Sequence, residues 1–103
     1  MRVYYVYILK CNDDSYYTGI TNNVEKRFAE HQTGMLKDAY TYKRRPLTLE
    51  FFQVFNDVNQ AIYFEKKIKK WTRAKKEALI KGEFNMLQVL SECRNATHFK
   101  YKN

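Results

Sequence analysis

The sequence predicts an α+β fold: a small, mainly antiparallel three-stranded sheet flanked by helices, in the order β-β-α-β-α-α with a C-terminal helix. Three observations predict it. Two tyrosine-rich segments near the start are separated by Asn12-Asp13-Asp14-Ser15, residues that favour turns. A third β-prone run stands apart over 47–55, and the apolar spacing between and after these runs is helical. Finally, 103 residues that are 45% hydrophobic and 17% aromatic, with only 3 Gly and 1 Pro, supply one modest core and show no low complexity.

Residues 4–10 and 16–21 read as strands rich in Tyr, Val, Ile and Thr. In the first, Tyr4, Val6 and Ile8 lie on one face and Tyr5, Tyr7 and Leu9 on the other, so the strand is expected to be covered on both sides. A helix follows over about 23–33, capped by Asn22 with Glu25 in the reciprocal position and stopped by Gly34. On it Val24 and Phe28 form a core-facing pair, while Arg27 and His31, also four apart, share another stripe. Residues 35–46 form a loop rich in Tyr, Lys and Arg that ends at Pro46. After the third strand, Asp57 caps a helix whose Ala61, Phe64, Ile68 and Trp71 make a buried stripe. Thr72 starts a third helix that runs through Ile80 to Gly82, and a short amphipathic helix is expected around Phe84–Cys93.

Nineteen Lys and Arg against eleven Asp and Glu give a net charge of +8, which favours a polyanionic partner. No apolar run approaches the roughly 18–20 residues of a membrane span, and the first residues lack a signal-peptide pattern. The cytoplasm is the expected compartment. Cys11 and Cys93 are then reduced thiols, and Asn95-Ala96-Thr97 is a sequon without consequence.

Tyr5-Val6-Tyr7, Tyr17-Thr18-Gly19 ten residues later, Arg27 and His31 on the next helix, and Glu65 in the helix after the third strand form one pattern. It resembles the GIY-YIG nuclease superfamily, and among its members the small stand-alone bacterial ones. The resemblance covers roughly residues 3–81 and implies a nuclease-like domain over 1–82, with 83–103 a C-terminal extension packed on it. It also implies phosphodiester hydrolysis assisted by a divalent metal, Mg²⁺ or Mn²⁺. Glu65 matches the metal-binding acid and Arg27 the arginine that neutralises the phosphate. Tyr7 and Tyr17 match the tyrosines that orient and help deprotonate the attacking water, and His31 a position that can relay protons. A phenol with a pKa near 10 is a poor base at neutral pH, so positive charge from Arg27, His31 or the metal is expected to lower it.

Tyr5 stands where the family name has Gly, Thr18 replaces the middle residue of the second motif, and Glu77 occupies a position where several members carry Asn. Ile20 and Thr21 lie where some relatives carry a lysine. The strand geometry adds a condition of its own. A regular four-residue loop would put Tyr7 and Tyr17 on opposite faces of the hairpin, whereas an odd loop or a bulge would put them on one. A shared site requires the odd loop, and that face should also meet Arg27, His31 and Glu65.

Tyr42, Lys43, Arg44 and Arg45 in the loop, with Tyr40 nearby, and Arg73, Lys75 and Lys76 on the third helix combine positive charge with aromatic rings. That mixture suits phosphate contacts and stacking on unpaired bases of a nucleic acid, expected to be DNA. Two functions remain open: an endonuclease of low sequence specificity, or a nucleic-acid-binding module of the same fold with little or no cleavage. The sequence is silent on oligomeric state and gives no sign of a membrane partner.

Overall fold

A computed structural model describes residues 2–91. Its strands are β1 (Tyr4–Lys10), β2 (Tyr16–Thr21) and β3 (Thr48–Phe55), and its helices α1 (Val24–Thr33), α2 (Val58–Lys69) and α3 (Arg73–Ile80). A 3₁₀ turn spans Tyr42–Arg44, and helix resumes over 86–91. The end of the helix expected to Cys93, that cysteine, and Asn95-Ala96-Thr97 lie outside the described residues. Among the described residues no helix is long and apolar enough to cross a membrane.

The sheet has the order β2-β1-β3 with both pairs antiparallel. As the central strand, β1 is covered on both faces, and Val6, Tyr7, Ile8 and Leu9 are all buried. Val6 and Ile8 enter a core made with Phe55, with Ala61, Phe64 and Ile68 of α2, and with Leu79 of α3. Tyr7, Leu9 and Cys11 face the other way, onto Leu47, with Tyr17, Leu49, and Val24 and Phe28 of α1 packed around them. The helices thus lie in two layers, α1 on one side of the sheet and α2 with α3 on the other.

The β1–β2 connection settles the parity question. Lys10 pairs with Tyr16 and Leu9 with Tyr17. Cys11 N–H donates to Ser15 O at 2.8 Å and Asp14 N–H to Cys11 O at 3.0 Å, so the loop proper is Asn12–Asp14. Asp14 adopts φ 67°, the left-handed position that completes a three-residue hairpin loop. An odd loop places Tyr17 on the face of Leu9 and Tyr7, as a shared site requires.

A second irregularity sits on β3. Ile8 pairs with Phe51 but Leu9 with Leu49, which leaves Glu50 as an extra residue. Strict alternation would put Leu47, Leu49, Phe51 and Phe55 on one face. The bulge divides them instead: Leu47 and Leu49 join the α1 layer, while Phe51 and Phe55 join the α2 layer.

The helix termini follow the sequence with one correction. The N-cap of α1 is Asn23, not Asn22, and its side chain accepts from Lys26 N–H. Thr21 is the reason: its hydroxyl accepts from Asn23 N–H at 3.1 Å, which fixes the chain one residue later. Gly34 ends α1 at φ 83°, where its N–H donates to His31 O and Met35 N–H to Glu30 O. Asp57 and Thr72 cap α2 and α3 as expected, accepting from Asn59 N–H and Lys75 N–H.

Candidate active site

The α1 face of the sheet carries a line of polar side chains that are buried yet mutually bonded. Tyr7 Oη lies 3.0 Å from His31 Nε2, and His31 Nδ1 lies 2.7 Å from Thr41 Oγ1. Tyr7, His31 and Thr41 are 1%, 2% and 1% exposed. Buried polar groups are tolerable when partnered, and here each is partnered by the next. Tyr17 packs beside them, its ring 6.3 Å from that of Tyr7 and 5.2 Å from that of His31. Tyr40 stacks on Tyr17 at 6.2 Å, and the Arg44 guanidinium covers Tyr40 at 3.8 Å.

Each side chain is placed by a local device. On β1 and β2, Tyr7 pairs with Gly19. A Cβ at Gly19 would stand 2.4 Å from Tyr7 Oη and 2.6 Å from Cζ, so the phenol lies across the glycine and no other residue leaves it room. His31 sits in the last turn of α1 and is that helix's buried residue. Thr41 reaches it because the loop is drawn back onto α1. Gln32 Nε2 donates to Leu47 O at 2.9 Å and Leu47 N–H donates to Gln32 Oε1 at 2.8 Å. Arg45 then folds over Gly34, donating to Tyr42 O at 2.9 Å. Gly19 entered the sequence reading only as a motif letter without a role, and Gln32 and Thr41 escaped it. A glycine inside a β-prone tripeptide signals close approach, whereas nothing local marks Gln32 or Thr41.

The electrostatics correct the expected chemistry of the tyrosines. Burial, with a contribution from Tyr17, pushes the Tyr7 hydroxyl far above its ordinary range, although Arg27 pulls it down. The His31 pKa moves below 6.5, chiefly through burial and then through Arg27. Both rings are therefore neutral near pH 7. His31 does not lend Tyr7 the positive charge expected of it, because a desolvated imidazole beside a guanidinium resists protonation. Arg27 is half-exposed and bonded to Glu30, Nε to Oε1 at 3.2 Å. It lies beside Tyr7, as its effect on the phenol shows.

Glu65 is the outlier. It rides on α2, whose core residues pack on the opposite face of the sheet, and its carboxylate is held by Lys69 Nζ at 3.1 Å. No hydrogen bond or ion pair among the described residues joins it to Tyr7, Tyr17, Arg27 or His31. Direct contacts thus link Tyr7, Tyr17 and His31, with Arg27 acting on Tyr7, while the contact found for Glu65 is the one to Lys69. Among the described residues no group of three or more His, Cys, Asp or Glu could hold a metal. A single carboxylate nonetheless suits a hard cation that keeps most of its water. Glu65 is 13% exposed and its Lys69 partner 56%, so the lysine is free to swing into solvent and yield the carboxylate.

The basic residues fall into two groups. Around the tyrosines, Lys43 is exposed and Tyr42 half-buried. Arg44 there is tied to Asp13 Oδ2 at 3.1 Å and to Tyr40 O at 2.7 Å. Arg45 lies over the Tyr42 ring at 4.8 Å as part of the loop closure. On the other layer Arg73 donates to Asp14 O, pairs with Glu77 at 3.3 Å and covers the ring of Tyr16. Lys75 lies over Trp71 at 4.6 Å, and burial together with Lys69 lowers the pKa of Lys76.

Comparison with known proteins agrees with this architecture. Residues 3–78 match the family model of the GIY-YIG catalytic domain. A UPF0213 protein of Clostridium perfringens is 47% identical over 79 residues, which are 77% of this chain and 84% of that protein. One from Syntrophus aciditrophicus is 44% identical over 77 residues, covering 75% and 88% of the two chains. The solution NMR structure of a UPF0213 protein from Bacillus halodurans matches with TM-score 0.52 at 34% identity, over 84% of this chain and 92% of that one. That of a protein from E. faecalis matches with TM-score 0.57 at 35% identity, over 80% and 86%. With a three-stranded antiparallel sheet, a paired-tyrosine face and these relatives, the chain belongs to the GIY-YIG family, whose nucleases act on nucleic acids and typically use divalent metals.

Proposed function

We propose that this protein is a metal-dependent endonuclease that hydrolyses phosphodiester bonds in DNA with low sequence specificity. The observation that carries the reading is the 3.0 Å contact between Tyr7 Oη and His31 Nε2, with Tyr17 alongside and Arg27 at its border. Neutral Tyr7 cannot take a water proton and keep its own. It passes its O–H proton to neutral His31 Nε2 as it accepts one from the attacking water, so His31 is the terminal base. The water's oxygen bonds to phosphorus, the bond to the leaving sugar oxygen breaks, and that oxygen takes a proton from solvent. Tyr17, the more exposed phenol, orients the water. Arg27 exchanges Glu30 for a phosphate oxygen and offsets charge developing there. Glu65 would hold Mg²⁺ or Mn²⁺, which supplies charge stabilisation to the phosphate when bound.

The DNA lies across the tyrosine face, with Lys43 and, after release from Asp13, Arg44 as phosphate contacts. Arg73, Lys75 and Lys76 face a flanking stretch from the other layer. Arg45 and Tyr42 support the loop from beneath. Residues 83–103 are proposed as a C-terminal extension of the nuclease-like domain, and the cytoplasm as the compartment. A role in DNA repair or recombination suits a small nuclease without marked sequence preference.

A second reading is a binding module of this fold with little or no cleavage. It is favoured by the Glu65–Lys69 pair and by the placement of α2 away from the tyrosine face. Plasmid nicking with Mg²⁺ or Mn²⁺ separates the two. The nuclease reading expects nicking by the wild type and loss of it in Glu65→Ala and Tyr7→Phe. Equal nicking by all three proteins would reveal a contaminant, and salt-sensitive binding without nicking would establish the binding module.

A further inference from the structure

His31 has two nitrogens and two partners, and the direction of each hydrogen bond depends on which nitrogen carries the proton. Thr41 Oγ1 stands 2.7 Å from Nδ1, and Tyr7 Oη stands 3.0 Å from Nε2. The phenol is the stronger donor of the two hydroxyls, and the aliphatic hydroxyl is the stronger acceptor. Arg27, which can only donate, favours negative charge on the Tyr7 oxygen and offers it no acceptor, so the Tyr7 hydrogen has His31 Nε2 as its partner. Tyr17 flanks the pair from the sheet and Glu30 from α1, and neither is hydrogen-bonded to the ring. We propose that Thr41 is a positioning residue that holds His31 as the Nδ1–H tautomer, leaving Nε2 to accept from Tyr7 and so fixing the direction of proton transfer.

The loop gives Thr41 the rigidity this role needs. Thr41 O accepts from Arg44 N–H at 3.0 Å, Tyr42 N–H donates to Ala39 O at 3.1 Å, and the Gln32–Leu47 bonds anchor the loop to α1. Main-chain hydrogen bonds at the Thr41–Tyr42 peptide fix the backbone from which the hydroxyl projects, and a buried β-branched side chain has few rotamers, so the hydroxyl offers His31 a steady acceptor. The catalytic consequence rests on the nuclease reading, but the tautomer does not.

Nitrogen-15 NMR of the imidazole in the full chain reads the tautomer directly, with His31→Gln identifying the signal against His98. In the neutral ring the wild type is expected to carry its proton on Nδ1. Thr41→Val should shift population to Nε2–H, and Thr41→Ser should retain the wild-type form. In plasmid nicking Thr41→Val should lower kcat about tenfold, part of the roughly 10²–10⁴ that a positioned acid–base pair contributes, with KM unchanged and Ser restoring it. A wild-type ring protonated on Nε2 overturns the proposal, and that measurement stands even if the Val variant does not fold. An unchanged tautomer in Thr41→Val, or a changed one with unaltered kcat, also overturns it. Wild type with the Nδ1–H tautomer and no cleavage overturns the nuclease reading instead.

Discussion

The two faces of one three-stranded sheet are built on different principles. Toward α2, the side chains of Val6, Ile8, Phe55, Ala61, Phe64 and Ile68 form a dry core. Toward α1, the same central strand presents Tyr7 to His31 and Thr41, so buried space is filled by hydrogen-bonded polar groups. Apolar burial is forgiving of small shifts, whereas a buried polar chain fails when any link is removed. The α2 face can therefore hold the fold while the α1 face keeps a geometry suited to proton movement. Strand β1, alternating at every residue, ties the two together.

The largest effect should come from the dry face. Phe64→Ala is expected to cost about 3–5 kcal/mol in denaturant unfolding, since a fully buried ring is replaced by a cavity. A cost below about 1 kcal/mol would show that α2 does not carry the core. On the polar face, Tyr7→Phe leaves His31 Nε2 without its partner and should cost about 1–3 kcal/mol, with cleavage reduced about 100-fold or more. Gly19→Ala reaches the same site from the other strand. Its methyl displaces the Tyr7 phenol, for about 1–3 kcal/mol and a comparable loss of activity. Full activity in Gly19→Ala would refute the packing of Tyr7 across that strand.

Acid separates the faces next. His31 titrates below its ordinary 6.5 in the folded protein, so below pH 6.5 the unfolded chain takes up a proton that the native state resists. The stability present above pH 6.5 is lost progressively as pH falls from there through the folded value. His31→Gln should remove this component, and unfolding compared at pH 7.5 and 5.5 tests it. A slope unchanged by the substitution would assign the acid sensitivity elsewhere. The smallest effect belongs to Lys69→Ala, which removes an exposed i,i+4 partner and should cost no more than about 0.5 kcal/mol. By freeing Glu65 it should lower the metal concentration needed for half-maximal nicking. An unchanged metal requirement would argue against Glu65 as the ligand.

The sequence by itself determined the three strands, the three helices with two of their N-caps, and the residue types of the site, because periodicity, turn chemistry and capping act within a few residues. It also reduced the meeting of Tyr7 and Tyr17 to the parity of one loop, and the three-residue turn with Asp14 in the left-handed region supplied the answer. Tertiary structure decided the rest. The extra residue Glu50 sends Leu47 and Leu49 to one layer and Phe51 and Phe55 to the other, although all four share one parity in sequence. The return of the loop onto α1 buries His31 beneath Thr41 and makes it neutral, where its position on the helix alone suggested a charged neighbour for Tyr7. The packing of α2 leaves Glu65 largely buried, with its carboxylate held by Lys69. Each of these outcomes depends on which groups lose water together, and that is fixed only when distant segments pack.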